Sequence, residues 1–152
     1  MRKIISEAVK TAMKAGDKAR LSTLRLISAK LKDIDLTAQG LGKAEASDIE
    51  LVEALAKMVK QRRESIEHFK TGNRPDLVAI EEAEITVIEG YLPKGLSAGE
   101  VAAAIDAAIK EAGAATQKDM GKVIALLKER HAGQMDFGAV SGQVKAKLNV
   151  KV

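Results

Sequence analysis

The chain is 152 residues long, 46% hydrophobic and 30% charged, with 25 Lys and Arg against 21 Asp and Glu. It holds two Phe, one Tyr, two Pro and neither Cys nor Trp. Without cysteine there are no disulfides, thiolate metal sites or cysteine nucleophiles. No apolar run approaches the roughly 18 residues that cross a bilayer. A core of Leu, Ile, Val, Ala and Met in Ala-rich, Pro-poor segments implies an all-α fold.

The opening MRKIISEAVK starts positive but acquires Glu7 early and lacks a long apolar run. It reads as the first turns of an amphipathic helix rather than a signal peptide, and a cytoplasmic location is expected. Ile4, Ile5, Ala8, Val9, Ala12 and Met13 recur at helical spacing and predict this first helix. Gly16 can end it and Asp17 can start the next. The second helix is predicted over about residues 18–36, with Leu21, Leu24, Ile27, Leu31 and Ile34 on one stripe. Gln39-Gly40-Leu41-Gly42 reads as its break, and the stretch to Ala46 as the most mobile loop.

Ser47, with Glu50 three residues on, opens the longest helix as a capping box. Val52, Leu55, Val59, Ile66 and Phe69 form its predicted buried line, and Gly72-Asn73 ends it after Thr71. Pro75 suits the first position of a fourth helix, where its missing N–H costs nothing. Ile80, Val87, Ile88 and Tyr91 are then predicted to face the core.

Tyr91-Leu92-Pro93-Lys94-Gly95 is the predicted boundary, because Pro93 pushes Leu92 out of helical geometry and Gly95 permits a turn. Ser97, with Glu100 reciprocating and Leu96 stapling onto Val101, is a full helix start. Helices over about residues 98–112, 117–131 and 137–149 follow, parted at Gly113 and Gly133, with Thr116 and Asp136 as caps. The organisation expected is an N-terminal helical hairpin or bundle module, 1–92, and a small three-helix C-terminal domain, 93–152. Proteolysis is expected first near residues 39–46 or 93–96.

Residues 1–74 hold 16 Lys and Arg against 10 Asp and Glu, and residues 75–152 hold 9 against 11. That polarity either orients an anionic partner toward the first half or lets the halves attract each other. Arg20 and Arg25, with Lys18, Lys30 and Lys32, make the second helix the most basic element, able to neutralise phosphates without reading bases. The near absence of aromatic side chains argues against stacking of unpaired bases. Lys118, Lys122, Lys128 and Arg130 gather positive charge on a short helix. Gly121 near its start either lets a phosphate approach the positive helix end or lets two helices pack closely. Gly121-Lys122 is not a nucleotide-binding loop, since Gly113 lies too far upstream and Val123 follows the lysine.

Arg62 falls on or beside the buried stripe of the third helix and needs a carboxylate, which Glu81 or Glu84 can supply. Lys57 and Lys60 share a face with Gln61 and Glu64 and read as a solvated surface. His68 and His131 lie at helix C-termini, where the dipole favours them. Glu81 and Glu82 splay apart on a helix, which argues against a carboxylate metal site. Neither a catalytic constellation nor a metal site nor a cofactor pattern can be assembled.

Asp17, Arg20 and Leu24-Arg25, Lys60-Gln61-Arg62 with Glu64-Ser65-Ile66, Glu81 and Glu84 before Tyr91-Leu92-Pro93, Leu96-Ser97, Glu100 and Asp119-Met120-Gly121-Lys122-Val123 together resemble the GatB/YqeY family. Residues Val140 through Leu148 extend the resemblance to nearly the whole chain. It implies two helical domains, the second similar to the tail of the amidotransferase B subunit, which helps hold tRNA. The larger domain that transfers the amide in that enzyme is absent here, as is the subunit that releases ammonia from glutamine. The resemblance therefore implies a tRNA-associated accessory protein without catalysis of its own. The alternatives are a component or enhancer of glutamine-dependent amide transfer, a carbon–nitrogen ligase activity, or a structural helical interaction module. The partners implied are tRNA and an aminoacyl-tRNA synthetase or amidotransferase subunit. The candidate RNA-binding residues are Lys118, Gly121, Lys122, Lys128, Arg20 and Arg25.

Overall fold

The computed structural model describes the backbone of residues 1–150 and the side chains of residues 1–148. The described residues form only helices and turns, as the composition implies. They are α1 (Arg2–Ala15), α2 (Lys18–Gly40), α3 (Asp48–Thr71), α4 (Pro75–Glu89), α5 (Ala98–Ala112), α6 (Met120–His131) and α7 (Phe137–Val150), with a 3-10 turn at Gln117–Asp119. They divide into two compact units, Met1–Leu92 and Pro93–Val152.

In the first unit α1 and α2 make a hairpin. Gly16 closes α1 in the left-handed region at φ 69°, a conformation that costs a side chain strain. The Asp17 carboxylate accepts from the Arg20 N–H at 3.1 Å and starts α2. α2 packs on α3 and α4, which pack most extensively on each other. Ile5, Leu24, Ile27, Leu51, Leu55 and Ile88 are fully buried at the centre. Each is worth about 1.5–3 kcal/mol of transfer free energy.

Four local readings change. α2 continues to Gly40, and burial of Ala38 explains why the last turn holds despite the glycine. Ile85 rather than Ile80 faces the core, because α4 is apolar on several sides and Ile80 is left 55% exposed. Ile4 and Met13 flank the buried line of α1 instead of joining it. The segment expected to be mobile is tied down: Arg2 bonds both Asp35 oxygens and the Ala46 carbonyl, while Asp35 accepts from the Ala46 N–H at 2.9 Å. Ala46 itself is buried.

In the second unit Ser97 and Glu100 form the reciprocal cap that opens α5. α5, α6 and α7 enclose Ile105, Val123, Leu127, Val140, Val144 and Leu148. Gln134, in the turn after α6, donates to the Lys94 carbonyl at 3.0 Å and accepts the Leu96 N–H on its own carbonyl at 2.8 Å. The segment after Pro93 is thereby held to its own unit.

Candidate nucleic-acid interface

Basic side chains fall into two groups according to what they touch. Across α3 and α4 the arginines are paired. Arg62 Nε lies 2.7 Å from Glu84 and 4.0 Å from Glu81, and its Nη1 donates to the Met58 carbonyl at 3.2 Å. This is the carboxylate partnership its position demands, since all three side chains are largely withdrawn from water. Burial, and then the neighbouring Glu84, hold the Glu81 carboxyl above its ordinary range. Arg63 pairs with Glu89, and Arg74 pairs with Asp76 at 3.0 Å.

On the α1–α2 hairpin the basic groups are mostly unpaired. A helix advances about 100° per residue, so positions seven apart share a face. Lys18, Arg25 and Lys32 therefore line one side of α2, opposite buried Ile27 and Leu31, and all three are exposed. Lys3, Lys10 and Lys14 do the same on α1. Among the described residues none of these six side chains has an ion-pair or hydrogen-bond partner. Lys18, Leu21, Ser22, Arg25 and Leu26 also line a shallow depression of about 370 Å³.

Arg20 separates from Arg25. Five residues place it well round the helix, where its guanidinium donates to the Tyr91 hydroxyl at 3.1 Å. Its immediate role is to tie α2 to the end of the unit. Lys3, Lys10 and Lys14 went unnoticed in the sequence, although their spacing opposite the Ile5–Ala12 line was the available signal.

In the second unit Lys118, Gly121 and Lys122 are exposed around the start of α6. Gly121 faces open space, with nothing within 4 Å of where a Cβ would sit. Close helix packing therefore does not explain this glycine. No side chain caps α6 itself, because the 3-10 turn Gln117–Asp119 leads straight into it and the Met120 N–H bonds the Gln117 carbonyl. The Asp119 carboxylate accepts instead from the N–H groups of Ala115 at 3.0 Å and Thr116 at 3.3 Å. Those bonds, and then the nearby Lys122, keep its carboxyl below the usual range. Lys128 stands apart, half-buried with Nζ 5.8 Å from the centre of the Phe137 ring. Arg130 is paired with Glu111.

The charge polarity read at residue 74 changes at the structural boundary. The first unit holds 16 Lys and Arg against 15 Asp and Glu, and the second nine against six. Residues 75–92 supply five acids and no base, and they belong to the first unit, where Glu81 and Glu84 face Arg62, Glu89 pairs with Arg63 and Asp76 with Arg74. The second unit is thus net positive.

Two polar groups complete the survey. His131 Nδ1 lies 3.1 Å from Gln134 Oε1, while His68 is exposed. Among the described residues no group of three His, Asp or Glu is placed to hold a metal ion. No described helix is long and apolar enough to cross a membrane.

The family described as Yqey-like protein matches residues 2–148. Three similar relatives each carry the name "Altered inheritance of mitochondria protein 41, mitochondrial". The one from Pyrenophora tritici-repentis is 30% identical over 94% of this chain and 78% of its own length. That from Eremothecium gossypii is 38% identical over 70% of this chain and 58% of its own. The relative from Lachancea thermotolerans is 36% identical over 58% of this chain, and the match spans only 46% of that protein. These names overturn the cytoplasmic expectation and point to mitochondria. The features behind that expectation, an amphipathic first helix and no apolar run long enough to cross a bilayer, do not distinguish one aqueous compartment from another.

Proposed function

Because this chain belongs to the YqeY-like protein family, we propose that it is a tRNA-associated accessory protein that holds the phosphodiester backbone and performs no chemistry itself. The observation that carries this reading is the exposed surface at Lys118, Gly121 and Lys122, where the Gln117–Asp119 turn runs into α6. Lys118 and Lys122 flank a glycine that packs against nothing, so a phosphate can approach the backbone at the positive end of a helix. Asp119 opposes an incoming anion, but its carboxylate is engaged by two backbone N–H groups. The net positive charge of this unit adds a longer-range attraction.

Titrating tRNA at two salt concentrations tests it. Lys122→Ala should weaken binding uniformly across tRNAs and reduce the salt slope by about one. Gly121→Leu should weaken binding further while the circular dichroism and melting of the protein stay intact. Wild-type protein that ignores tRNA, or variants that bind as wild type does, would refute the proposal. Purified alone with glutamine, ATP and misacylated tRNA, the protein should transfer no amide.

A further inference from the structure

We propose that the α1–α2 hairpin is a docking surface for double-stranded RNA, gripping its phosphates and not its bases. This rests on the tRNA-associated reading and adds to it the part of the RNA engaged, a base-paired arm. Four observations carry it.

The first is charge without partners. Lys3, Lys10 and Lys14 on α1 and Lys18, Arg25 and Lys32 on α2 are exposed, and none is paired among the described residues. Residues 2–40 hold nine Lys and Arg against four Asp and Glu. Two of those four acids are already used, Asp17 as the α2 cap and Asp35 as the partner of Arg2. Setting the Arg2–Asp35 pair aside leaves eight bases against Glu7, Asp17 and Asp33.

The second is rigidity. Seven helical residues rise about 10.5 Å, so Lys18, Arg25 and Lys32 form a straight row about 21 Å long. The inner side of that row is fixed by fully buried Leu24 and Ile27. A fixed row of charges gains most from a ligand whose own phosphates are fixed, which is a duplex.

The third is composition. Residues 2–40 contain no aromatic side chain, so the surface offers no aromatic platform for unpaired bases, a recurring source of affinity for single strands. Recognition of duplex RNA runs instead through shape, phosphate and 2′-hydroxyl contacts. The fourth is relief: the shallow depression lined by Lys18, Leu21, Ser22, Arg25 and Leu26 lets a phosphate approach between the two cations.

The test uses the full chain, an RNA duplex of roughly 16 base pairs, a single strand of the same length, and tRNA. The variants are wild type, Lys18→Glu/Arg25→Glu/Lys32→Glu and Lys122→Ala. Wild type should bind the duplex at least ~10-fold more tightly than the single strand. The triple variant should lose at least ~10-fold in duplex affinity and two to three in salt slope, with an unchanged melting temperature. Because all three side chains point outward, a fall in melting temperature is not expected; should it occur, Lys18→Gln/Arg25→Gln/Lys32→Gln must show the same slope change. Binding of tRNA by the triple variant at wild-type strength would overturn this inference and leave the tRNA reading standing. Equal affinity for duplex and single strand would overturn it as well. If wild type binds no RNA in any arm, both fall, and binding to phosphatidylserine vesicles lost in the same variant would assign the surface to a membrane.

Discussion

Arg62, Arg63 and Arg74 sit where α3 meets α4 or at the turn joining them, and each is engaged by a carboxylate of α4. On the α1–α2 hairpin, Lys3, Lys10, Lys14, Lys18, Arg25 and Lys32 reach solvent with no partner among the described residues. Residue type follows the same division in part: the three paired groups are arginines, and five of the six unpaired ones are lysines. The planar guanidinium forks onto carboxylates and tolerates withdrawal from water, whereas the ammonium is strongly hydrated and stays outside. Basic charge at the α3–α4 seam is thus part of the fold, and basic charge on the hairpin is available to a ligand. Four stability measurements can break that distinction.

The largest effect is expected at Arg62. Arg62→Met leaves Glu81 and Glu84 facing each other in a half-buried site and should cost about 2 kcal/mol. Adding Glu81→Gln and Glu84→Gln should recover most of the loss, and RNA binding should not change. A single variant that melts like wild type would mean the seam charge is idle.

Gly121→Ala should stabilise the protein by up to about 1 kcal/mol, since the methyl group meets open space on a helix. A lower melting temperature would return this glycine to a packing role. A smaller effect is expected at Asp35, because Arg2 keeps 33% of its side chain in water and solvent screens the pair. Its carboxyl is lowered from 3.8 to about 2, first by the hydrogen bond from Arg2 and then by the Ala46 N–H. A depressed carboxyl stabilises the fold above its unfolded value and loses that contribution as pH falls toward about 2. Wild type should therefore outmelt Asp35→Asn at pH 5, with the gap closing between about pH 4 and pH 2. A gap independent of pH would show that the bond matters only for its shape. The smallest change is expected for Arg74→Ala, within about 0.5 kcal/mol, because Arg74 and Asp76 are both exposed.

Helix starts were legible because capping is local. Gly16-Asp17, Ser47, Pro75 and Ser97-Glu100 each stand where a helix turns on or off. The Arg62 partnership was legible too, since a cation on an apolar stripe constrains what its neighbour must carry. What escaped depends on tertiary context. Ile80 and Ile85 look alike on a helix that is apolar on several sides, and only the position of α2 chooses between them. Ala38 holds α2 together past a glycine by a burial that periodicity does not reveal. The loop before Ala46 looked free because its anchor, Arg2, lies 44 residues away. The spacing of Lys18, Arg25 and Lys32 already set them apart from Arg20, but the Arg20–Tyr91 bond was hidden because the two lie 71 residues apart.

The most direct measurement compares one cation from each region by the salt dependence of tRNA binding. Arg25 and Arg63 are both exposed arginines, but Arg63 is paired with Glu89 and Arg25 is not. Arg25→Ala should lower the slope of log affinity against log salt by about one, while Arg63→Ala leaves it unchanged. Equal slope changes in the two variants, or a wild-type affinity indifferent to salt, would contradict the division of basic charge between fold and ligand.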